Sequence, residues 1–229
     1  MIRFLRPFDP HRIRLLVFDL DGTLIDSRLD LIHSVNATLR HIGRPQLDGD
    51  VIASYVGDGA PALIRRALGG DEDDGLHRTA LEYFLGYYRL HKLDHTTVYE
   101  GIPEVLAQLG QPSNGLQREM AVLSNKPVHP SRDIVHAMGL GDYFVSIYGG
   151  NSFPTKKPDP QGIQTILQET GIAAAETLMI GDSSIDVLTG RNAGLWTCGV
   201  TYGFAPHSLE EVPPDVLVET PRELGELLG

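Results

Sequence analysis

The sequence contains one cysteine, few basic residues and no long apolar run. Because Cys198 is the only cysteine, an internal disulfide is excluded and a reducing compartment is favoured. No apolar run approaches the ~18 residues that a transmembrane helix needs. The 30 Asp and Glu residues outnumber the 19 Lys and Arg residues and give a formal net charge of −11. This charge argues against nonspecific nucleic-acid binding, which depends on Lys and Arg neutralising phosphates.

The amino terminus also lacks the pattern of a secretion signal. The first residues, MIRFLRPFDPHRIRLLVFD, are basic, but their apolar stretch is brief and ends in an aspartate, so no signal peptide is expected. What is present is an acidic chain of 229 residues, 41% hydrophobic and 21% charged, which is typical of a soluble protein with a real core. We therefore predict a cytoplasmic protein with neither a membrane nor a nucleic acid as partner.

Short apolar runs alternate with helical patterns over most of the chain. The predicted strands are Arg14–Asp19, Glu119–Ser124, Tyr143–Tyr148, Thr177–Ile180, Trp196–Val200 and Asp215–Val218. Helices are predicted over residues 102–110, 128–139, 159–170 and 184–193. Several of the strands are nearly continuous apolar runs, as expected of strands covered on both faces. The alternation predicts an α/β fold with a doubly wound, mostly parallel, Rossmann-like sheet.

Residues 26–98 interrupt this alternation with consecutive helical patterns. Ile32, Val35, Leu39 and Ile42 have helical spacing, and further helices are predicted over residues 48–55, 61–68 and 76–93. A helical segment of about 70 residues is too long for an ordinary crossover connection. We predict a helical cap domain at 26–98, inserted into a core formed by 1–25 and 99–229. The cap histidines His33, His91 and His95 show no metal-ligand spacing, so core or surface positions are expected for them.

The segment VFDLDGTLIDS, residues 17–27, carries the most chemical information. Asp19 ends a predicted strand and Asp21 follows two residues later. Open α/β sheets bind ligands outside the carboxyl ends of their strands, and two carboxylates this close repel unless a cation or a shared proton compensates. The pair suits Mg²⁺, and it suits a reaction in which one aspartate attacks phosphorus while the other transfers a proton. An Asp-Gly turn with helix-capping acids is the alternative.

Three further polar segments follow later predicted strands. Ser124, Asn125 and Lys126 follow AVL, KKPDP lies at 156–160, and GDSSID at 181–186 follows the strand that contains LMI. Each segment has a structural alternative. Ser124 is a possible cap of the next helix, a lone lysine is most often solvated, and Asp182 with Asp186 is compatible with a capped helix start.

Taken in order, the four segments resemble the four motifs of the haloacid dehalogenase-like superfamily, most of whose members are Mg²⁺-dependent phosphatases. The resemblance covers nearly the whole chain. It implies that Asp19 is the nucleophile and forms an aspartyl-phosphate, and that Asp21 is first general acid and then general base. It also implies that Mg²⁺ is held by the Asp19 carboxylate, the Asp21 backbone carbonyl and the Asp182 carboxylate.

The resemblance implies roles for the other motif residues as well. Ser124 would donate a hydrogen bond to a phosphoryl oxygen, and Lys157 would neutralise the phosphoryl group and the aspartates, with Lys156 as the alternative lysine. Ser183 and Asp186 would orient the metal ligands, unless Asp186 itself binds the metal. Thr23 and Asn125 are candidate substrate contacts.

The cap contains a glycine-rich loop, Tyr55–Gly59, that resembles the cap loop of phosphoglycolate phosphatases. Gly57 and Gly59 would let the loop approach a small ligand closely. Asp58 is a candidate substrate contact, and Arg65 would bind a substrate carboxylate unless it is simply an exposed helical arginine. The resemblance therefore implies a phosphoric monoester hydrolase acting on a small phosphorylated metabolite, with 2-phosphoglycolate as the favoured substrate.

Several alternatives remain open at this stage. Related phosphatases act on sugar phosphates, amino-sugar acid phosphates or pyrophosphate, and sugar-phosphate mutases share the core. A non-catalytic phosphate-binding module is a further possibility, although none of the motif acids is missing. The polar loop at 110–118 is longer than expected for close relatives, and the acidic DEDD run at 71–74 is assigned to solubility. The oligomeric state is left open.

Overall fold

A computed structural model describes residues 1–70, 74–112 and 117–229. Part of the 110–118 loop and the first three residues of the DEDD run lie outside the described residues. The chain divides into two compact units, of which unit 1 comprises Met1–Ile25 and Val98–Gly229 and unit 2 comprises Asp26–Thr97. Each unit has its own secondary structure and its own buried side chains.

The described residues contain nine strands and ten α-helices. The strands are β1 Arg3–Phe4, β2 Leu15–Phe18, β3 Ile25–Asp26, β4 Thr97–Val98, β5 Glu119–Leu123, β6 Ser146–Tyr148, β7 Thr177–Gly181, β8 Trp196–Val200 and β9 Val216–Val218. The helices are α1 Arg28–His41, α2 Gly49–Ala53, α3 Ala60–Ala67, α4 Asp74–His91, α5 Ile102–Leu109, α6 Val128–Ala137, α7 Gln161–Thr170, α8 Ser184–Asn192, α9 Ser208–Glu211 and α10 Pro221–Leu228. Single 3₁₀ turns lie at Pro10–Arg12, Gly141–Tyr143 and Ala174–Glu176.

Unit 1 is built on a seven-stranded sheet with the strand order β1-β9-β8-β7-β2-β5-β6. All neighbouring strands are parallel except β1 and β9, which are antiparallel. The chain moves outward from β2 through β5 to β6, and then returns to β7 on the other side of β2. The order of the strands reverses beside β2, and ligands of open α/β sheets bind at such a switch point.

Both faces of the sheet are covered, as the apolar strands predict. Leu16 and Phe18 of β2 pack in a cluster with residues of α5, α6 and α10, whereas Leu15 and Val17 pack in another cluster with Ile163 of α7. Alternate side chains of a strand point to opposite faces, so β2 contributes to the core on both sides. This arrangement confirms the predicted α/β class with its mostly parallel sheet.

The strands and helices differ from their predicted bounds mainly at the ends. The predicted strand Tyr143–Tyr148 is shorter, because the chain first makes the 3₁₀ turn Gly141–Tyr143 and only Ser146–Tyr148 pairs with β5. Five short elements were not predicted: the strands β1, β3 and β4 and the helices α9 and α10. Strand β1 lies at the edge of the sheet and has two exposed residues. In the part of the chain that the structure describes, no helix combines the length and the apolar character needed to cross a membrane.

Unit 2 contains helices α1 to α4. Val35 and Leu39 of α1 are buried, as are Phe84 and Tyr88 of α4, whose rings stack with centroids 5.6 Å apart. The two side chains of each pair are four residues apart on their helix, so they lie on one face. The helices of unit 2 thus bury an apolar core of their own.

Candidate active site

The sheet brings the ends of three strands together in unit 1. Phe18, the last residue of β2, is aligned with Val122 of β5 on one side and with Ile180 of β7 on the other. Because these strands are parallel, their carboxyl ends meet at one edge of the sheet. Asp19, Ser124 and Asp182 follow β2, β5 and β7, so they lie at this edge next to one another.

Three buried carboxylates and a lysine form the centre of this edge. Oxygens of Asp19, Asp182 and Asp186 lie within 4.8 Å of one another. The Nζ of Lys157, whose side chain is only 2% exposed, lies 2.8 Å from Oδ1 of Asp19 and 2.6 Å from Oδ1 of Asp186. Such a group of oxygen donors could hold a hard dication.

The ionisation of these groups reflects their burial and their charges. Burial raises the pKa of Asp19 to about 6, against the opposing effect of Lys157. Burial, reinforced by Asp186 and Asp19, raises the pKa of Asp182 to about 8. Burial alone would lower the pKa of Lys157, but Asp186 and Asp19 raise it above its ordinary value. The carboxylates therefore need more positive charge than Lys157 supplies in order to be ionised together at neutral pH.

Asp182 is held in place by backbone groups of a following loop. Its Oδ2 accepts hydrogen bonds from the backbone N–H of Phe204 at 2.5 Å and from that of Ala205 at 3.2 Å. Gly22 lies against the same oxygen, since a Cβ at residue 22 would be 2.3 Å from it. Gly22 also has a φ of 83°, which favours glycine. The Gly in the DxDG turn is therefore required both by its backbone conformation and by the close approach of Asp182.

Asp186 has a structural role and a position in the site at the same time. Its Oδ2 accepts hydrogen bonds from the backbone N–H of Ser183 at 3.1 Å and from the Ser183 hydroxyl at 2.7 Å, in a capping box at the start of α8. Its Oδ1 contacts Lys157. The capped helix start is therefore present, and Asp186 also contacts Lys157, so the capping role does not exclude a place in the candidate site.

Lys126 is a residue of the site that the sequence analysis quoted without assigning it a role. Its Nζ lies 2.8 Å and 2.9 Å from the two oxygens of Asp21, and both side chains are largely buried, at 5% and 11% exposure. Lys126 lies after the end of β5, so the same sheet edge that positions Ser124 also brings this ammonium group to Asp21. Its position directly after Ser124 and Asn125 indicated that it lies at the same sheet edge, but a lone lysine is usually solvated and was given no role for that reason.

The other residues that follow β5 connect the segments of the site. The Oγ of Ser124 accepts a hydrogen bond from the backbone N–H of Lys126 at 3.3 Å. The Nδ2 of Asn125 donates to the backbone carbonyl of Lys157 at 3.1 Å. Helix α6 begins only at Val128, and its cap residue is Pro127. The alternative that Ser124 caps this helix is therefore wrong.

The structure distinguishes the two lysines of KKPDP and gives Thr23 a buried position. Lys157 is buried in contact with Asp19, whereas Lys156 is exposed. Thr23 is fully buried, and its backbone carbonyl accepts a hydrogen bond from the Tyr202 hydroxyl at 3.0 Å. Among the described residues, the Thr23 hydroxyl has no hydrogen-bond partner.

Four of the predicted substrate contacts belong to unit 2. They are Gly57, Asp58, Gly59 and Arg65. Gly57 and Gly59 have φ angles of 127° and 83°, and Gly59 is the cap residue of α3. Asp58 forms an ion pair with Arg66, and an Nη of Arg65 lies 3.3 Å from Oδ1 of Asp74. Both arginines are exposed. Within unit 2, Arg65 is therefore an exposed helical arginine, which was the alternative to a substrate contact.

A doubly wound sheet in which an Asp-x-Asp pair directly follows an inner strand, beside a buried lysine and two further carboxylates, defines a class of hydrolases. The chain belongs to the haloacid dehalogenase-like hydrolase family, whose model matches residues 16–200.

Named relatives are similar over most of the chain. A phosphoglycolate phosphatase of Chromobacterium violaceum is 38% identical over 220 residues, which cover 94% of this chain and 96% of the relative. One of Pseudomonas putida is 37% identical over 218 residues, which cover 92% of this chain and 78% of the relative. The crystal structure of a predicted phosphoglycolate phosphatase from Haemophilus somnus has a TM-score of 0.87 and 26% identity, and covers 95% of this chain and 99% of that one. The predictions of the family and of an enzyme of the phosphoric monoester hydrolase class are confirmed.

Proposed function

We propose that this protein is a Mg²⁺-dependent phosphomonoesterase that hydrolyses 2-phosphoglycolate to glycolate and phosphate. One observation carries the proposal. Asp19 directly follows strand β2, and its carboxylate lies 2.8 Å from the Nζ of Lys157 and within 4.8 Å of oxygens of Asp182 and Asp186. A nucleophilic carboxylate, a cation for the phosphoryl group and additional metal ligands are the parts that phosphoryl transfer requires.

The donor set and the charge of the site fit Mg²⁺. The four carboxylates of Asp19, Asp21, Asp182 and Asp186 are accompanied by the ammonium groups of Lys126 and Lys157, which leaves a formal charge of −2. We assign Asp19, Asp182 and the backbone carbonyl of Asp21 as metal ligands, with Asp186 and Ser183 as their support. Bound Mg²⁺ would neutralise these carboxylates and the phosphoryl oxygens, and it keeps several waters, so few protein ligands suffice.

The reaction proceeds in two displacements at phosphorus. A carboxylate oxygen of Asp19 attacks phosphorus while the bond to the substrate oxygen breaks, and Asp21 gives its proton to the leaving alkoxide. Asp21 then takes a proton from water, which attacks the aspartyl-phosphate and releases phosphate from Asp19. Since Lys126 binds both carboxylate oxygens of Asp21, one of these two contacts must be given up when Asp21 carries a proton.

The phosphoryl group is held by residues of the neighbouring strand ends. Lys157 neutralises its charge, and the hydroxyl of Ser124 donates a hydrogen bond to one of its oxygens. Asn125 supports the position of Lys157 through the hydrogen bond to its carbonyl. Thr23 stays a weaker candidate for a substrate contact, because its side chain is fully buried.

Substrate selection is assigned to unit 2, which we propose as the cap. Its loop with Gly57, Asp58 and Gly59 and the nearby Arg65 would recognise the carboxylate of phosphoglycolate. The names of the relatives support this substrate. A phosphatase for another small phosphate is the second candidate, because the core residues act on the phosphoryl group alone. The cytoplasmic location stays a prediction that rests on the single cysteine.

Asp19→Asn tests the nucleophile. We expect a loss of more than about a thousandfold in kcat with Mg²⁺ and phosphoglycolate, because an amide cannot form the aspartyl-phosphate. Asp142→Asn, which changes an exposed acid of unit 1, is the matched control and should keep full activity. Near-normal turnover by Asp19→Asn would exclude Asp19 as the nucleophile.

A screen of small phosphorylated metabolites, with and without Mg²⁺, tests the substrate. We expect phosphoglycolate to have the highest kcat/KM and EDTA to abolish turnover. If sugar phosphates rank far above phosphoglycolate, the substrate is wrong while the reaction class stands. Isomerisation of a sugar phosphate without phosphate release would indicate a mutase.

A further inference from the structure

Unit 2 contains a second group of potential metal ligands that the proposed reaction does not use. One carboxylate oxygen of Asp30 and one ring nitrogen each of His33 and His95 lie within 4.8 Å of one another. Asp30 and His33 are three residues apart on α1, which places them on one face of the helix. His95 lies 65 residues after Asp30, so the cluster arises from the tertiary structure and not from any local spacing.

Asp30 fixes the position and the ring orientation of His95. Asp30 is 1% exposed, and its carboxylate accepts hydrogen bonds from the backbone N–H groups of His95 and Thr96 at 2.9 Å and from the Thr96 hydroxyl at 2.7 Å. Its Oδ1 also lies 2.9 Å from Nδ1 of His95. In a neutral imidazole this contact favours a proton on Nδ1, so Nε2 carries the lone pair. A carboxylate that orients a histidine through its second nitrogen is a common support for metal ligands.

His33 provides a second imidazole beside the first. The two rings meet edge to face with their centroids 5.0 Å apart, and both side chains are exposed, so an ion from solvent can reach them. Asp30 and His33 also line a cavity of about 160 Å³, which is large enough for several waters. Waters in this cavity can complete the coordination of an ion.

The charges that surround the cluster are compatible with a cation. Asp94 lines the same cavity, where its Oδ2 lies 2.7 Å from Nδ1 of His91. Arg40 also lines the cavity and is positively charged. With neutral histidines, the two carboxylates of Asp30 and Asp94 outweigh this one guanidinium group.

We propose that Asp30, His33 and His95 form a binding site for a transition-metal dication of the Zn²⁺ type. His33 and His95 supply imidazole ligands, Asp30 supplies negative charge and orients His95, and water fills the remaining positions. Imidazole is a good ligand for Zn²⁺, Co²⁺, Ni²⁺ and Cu²⁺, whereas Mg²⁺ prefers oxygen donors. The site therefore selects a different class of ion from the carboxylate cluster of unit 1.

Equilibrium dialysis of the full chain against Zn²⁺ tests the proposal. The dialysis is done with millimolar Mg²⁺ at about pH 7.5, above the ordinary pKa of a histidine side chain. We expect the unaltered protein to bind one more equivalent of Zn²⁺ than the His33→Ala/His95→Ala variant. A variant of matched composition, His11→Ala/His207→Ala, removes two exposed histidines of unit 1 and should keep the extra equivalent.

The comparison has two outcomes that overturn the proposal. The first is equal stoichiometry and affinity in the unaltered protein and the His33→Ala/His95→Ala variant. The second is an equal loss in the control variant, which would indicate adsorption to surface histidines in general. Circular dichroism and phosphatase activity with Mg²⁺ establish that the variants fold. If the double variant does not fold, each single variant is expected to weaken Zn²⁺ binding roughly tenfold or more, and unchanged binding in both would refute the site.

Discussion

Asp182→Asn measures how much the crowded carboxylates destabilise the protein without metal. Asp182 is 4% exposed, and burial with the added effects of Asp186 and Asp19 raises its pKa from 3.8 to about 8. An acid whose pKa is raised on folding keeps its full contribution to stability only below the pKa of the unfolded chain. That contribution is lost as the pH rises from about 4 through about 8. The metal-free protein should therefore lose stability over this range.

The raised pKa of Asp182 sets the size of the expected change in the free energy of unfolding. A shift of about four units, at about 1.4 kcal/mol per unit, sets an upper bound of roughly 6 kcal/mol. The amide of asparagine removes the charge and keeps an oxygen that can accept hydrogen bonds from Phe204 and Ala205. Replacing a buried ion pair by hydrophobic residues of similar volume is neutral or stabilises proteins by about 1–4 kcal/mol, and we take this range for one crowded carboxylate whose charge Lys157 does not balance. We expect Asp182→Asn to raise the free energy of unfolding by this amount at pH 8 in EDTA.

Urea unfolding at about pH 5 and about pH 8, in EDTA and in Mg²⁺, is the assay. At pH 5 Asp182 is protonated in the folded protein, so the advantage of the variant should be smaller. Mg²⁺ binds ionised carboxylates, so it should stabilise the unaltered protein at pH 8 and stabilise the variant less. Asp142→Asn, the exposed control, should stay within about 0.5 kcal/mol of the unaltered protein. A variant less stable than the unaltered protein at pH 8 in EDTA would refute the reasoning.

Two further predictions concern buried groups of unit 1. Lys157→Met should lower the free energy of unfolding by about 3–5 kcal/mol in urea titrations near neutral pH, because Asp19 and Asp186 would stay buried without their shared cation. An unchanged urea midpoint would contradict the importance of this ion pair. Cys198 is 1% exposed and burial raises the pKa of its thiol, so an aromatic disulfide reagent should label one thiol only after denaturation. Rapid labelling of the folded protein would contradict this prediction.

The chain has a net charge of −11, and the candidate site is also negatively charged. From the sequence, four acids and one compensating lysine, Lys157, are expected there. The structure adds Lys126, which binds Asp21 through both carboxylate oxygens. With this second ammonium group the residual charge of the acids and lysines is −2, which one divalent cation would balance. An acidic protein can bind an anionic substrate when positive charges are concentrated where the phosphoryl group enters.

The sequence alone was sufficient to predict the α/β fold and the order of the motifs. The apolar runs of β2, β5 and β7 are local signals, because a strand covered on both faces must be apolar on both. In a parallel sheet, the residue types that follow such strands are enough to predict which segments meet at one edge. Asp19, Ser124 and Asp182 were predicted in this way to lie after their strands, whereas their roles were taken from the family resemblance.

Only the tertiary structure decided which side chains pair. The contacts of Lys157 with Asp19, of Lys126 with Asp21 and of His95 with Asp30 all join residues far apart in the chain. These pairings depend on the burial and direction of individual side chains. Patterns of hydrophobicity specify the faces of strands and helices, but they contain no information on which distant polar groups share a buried position.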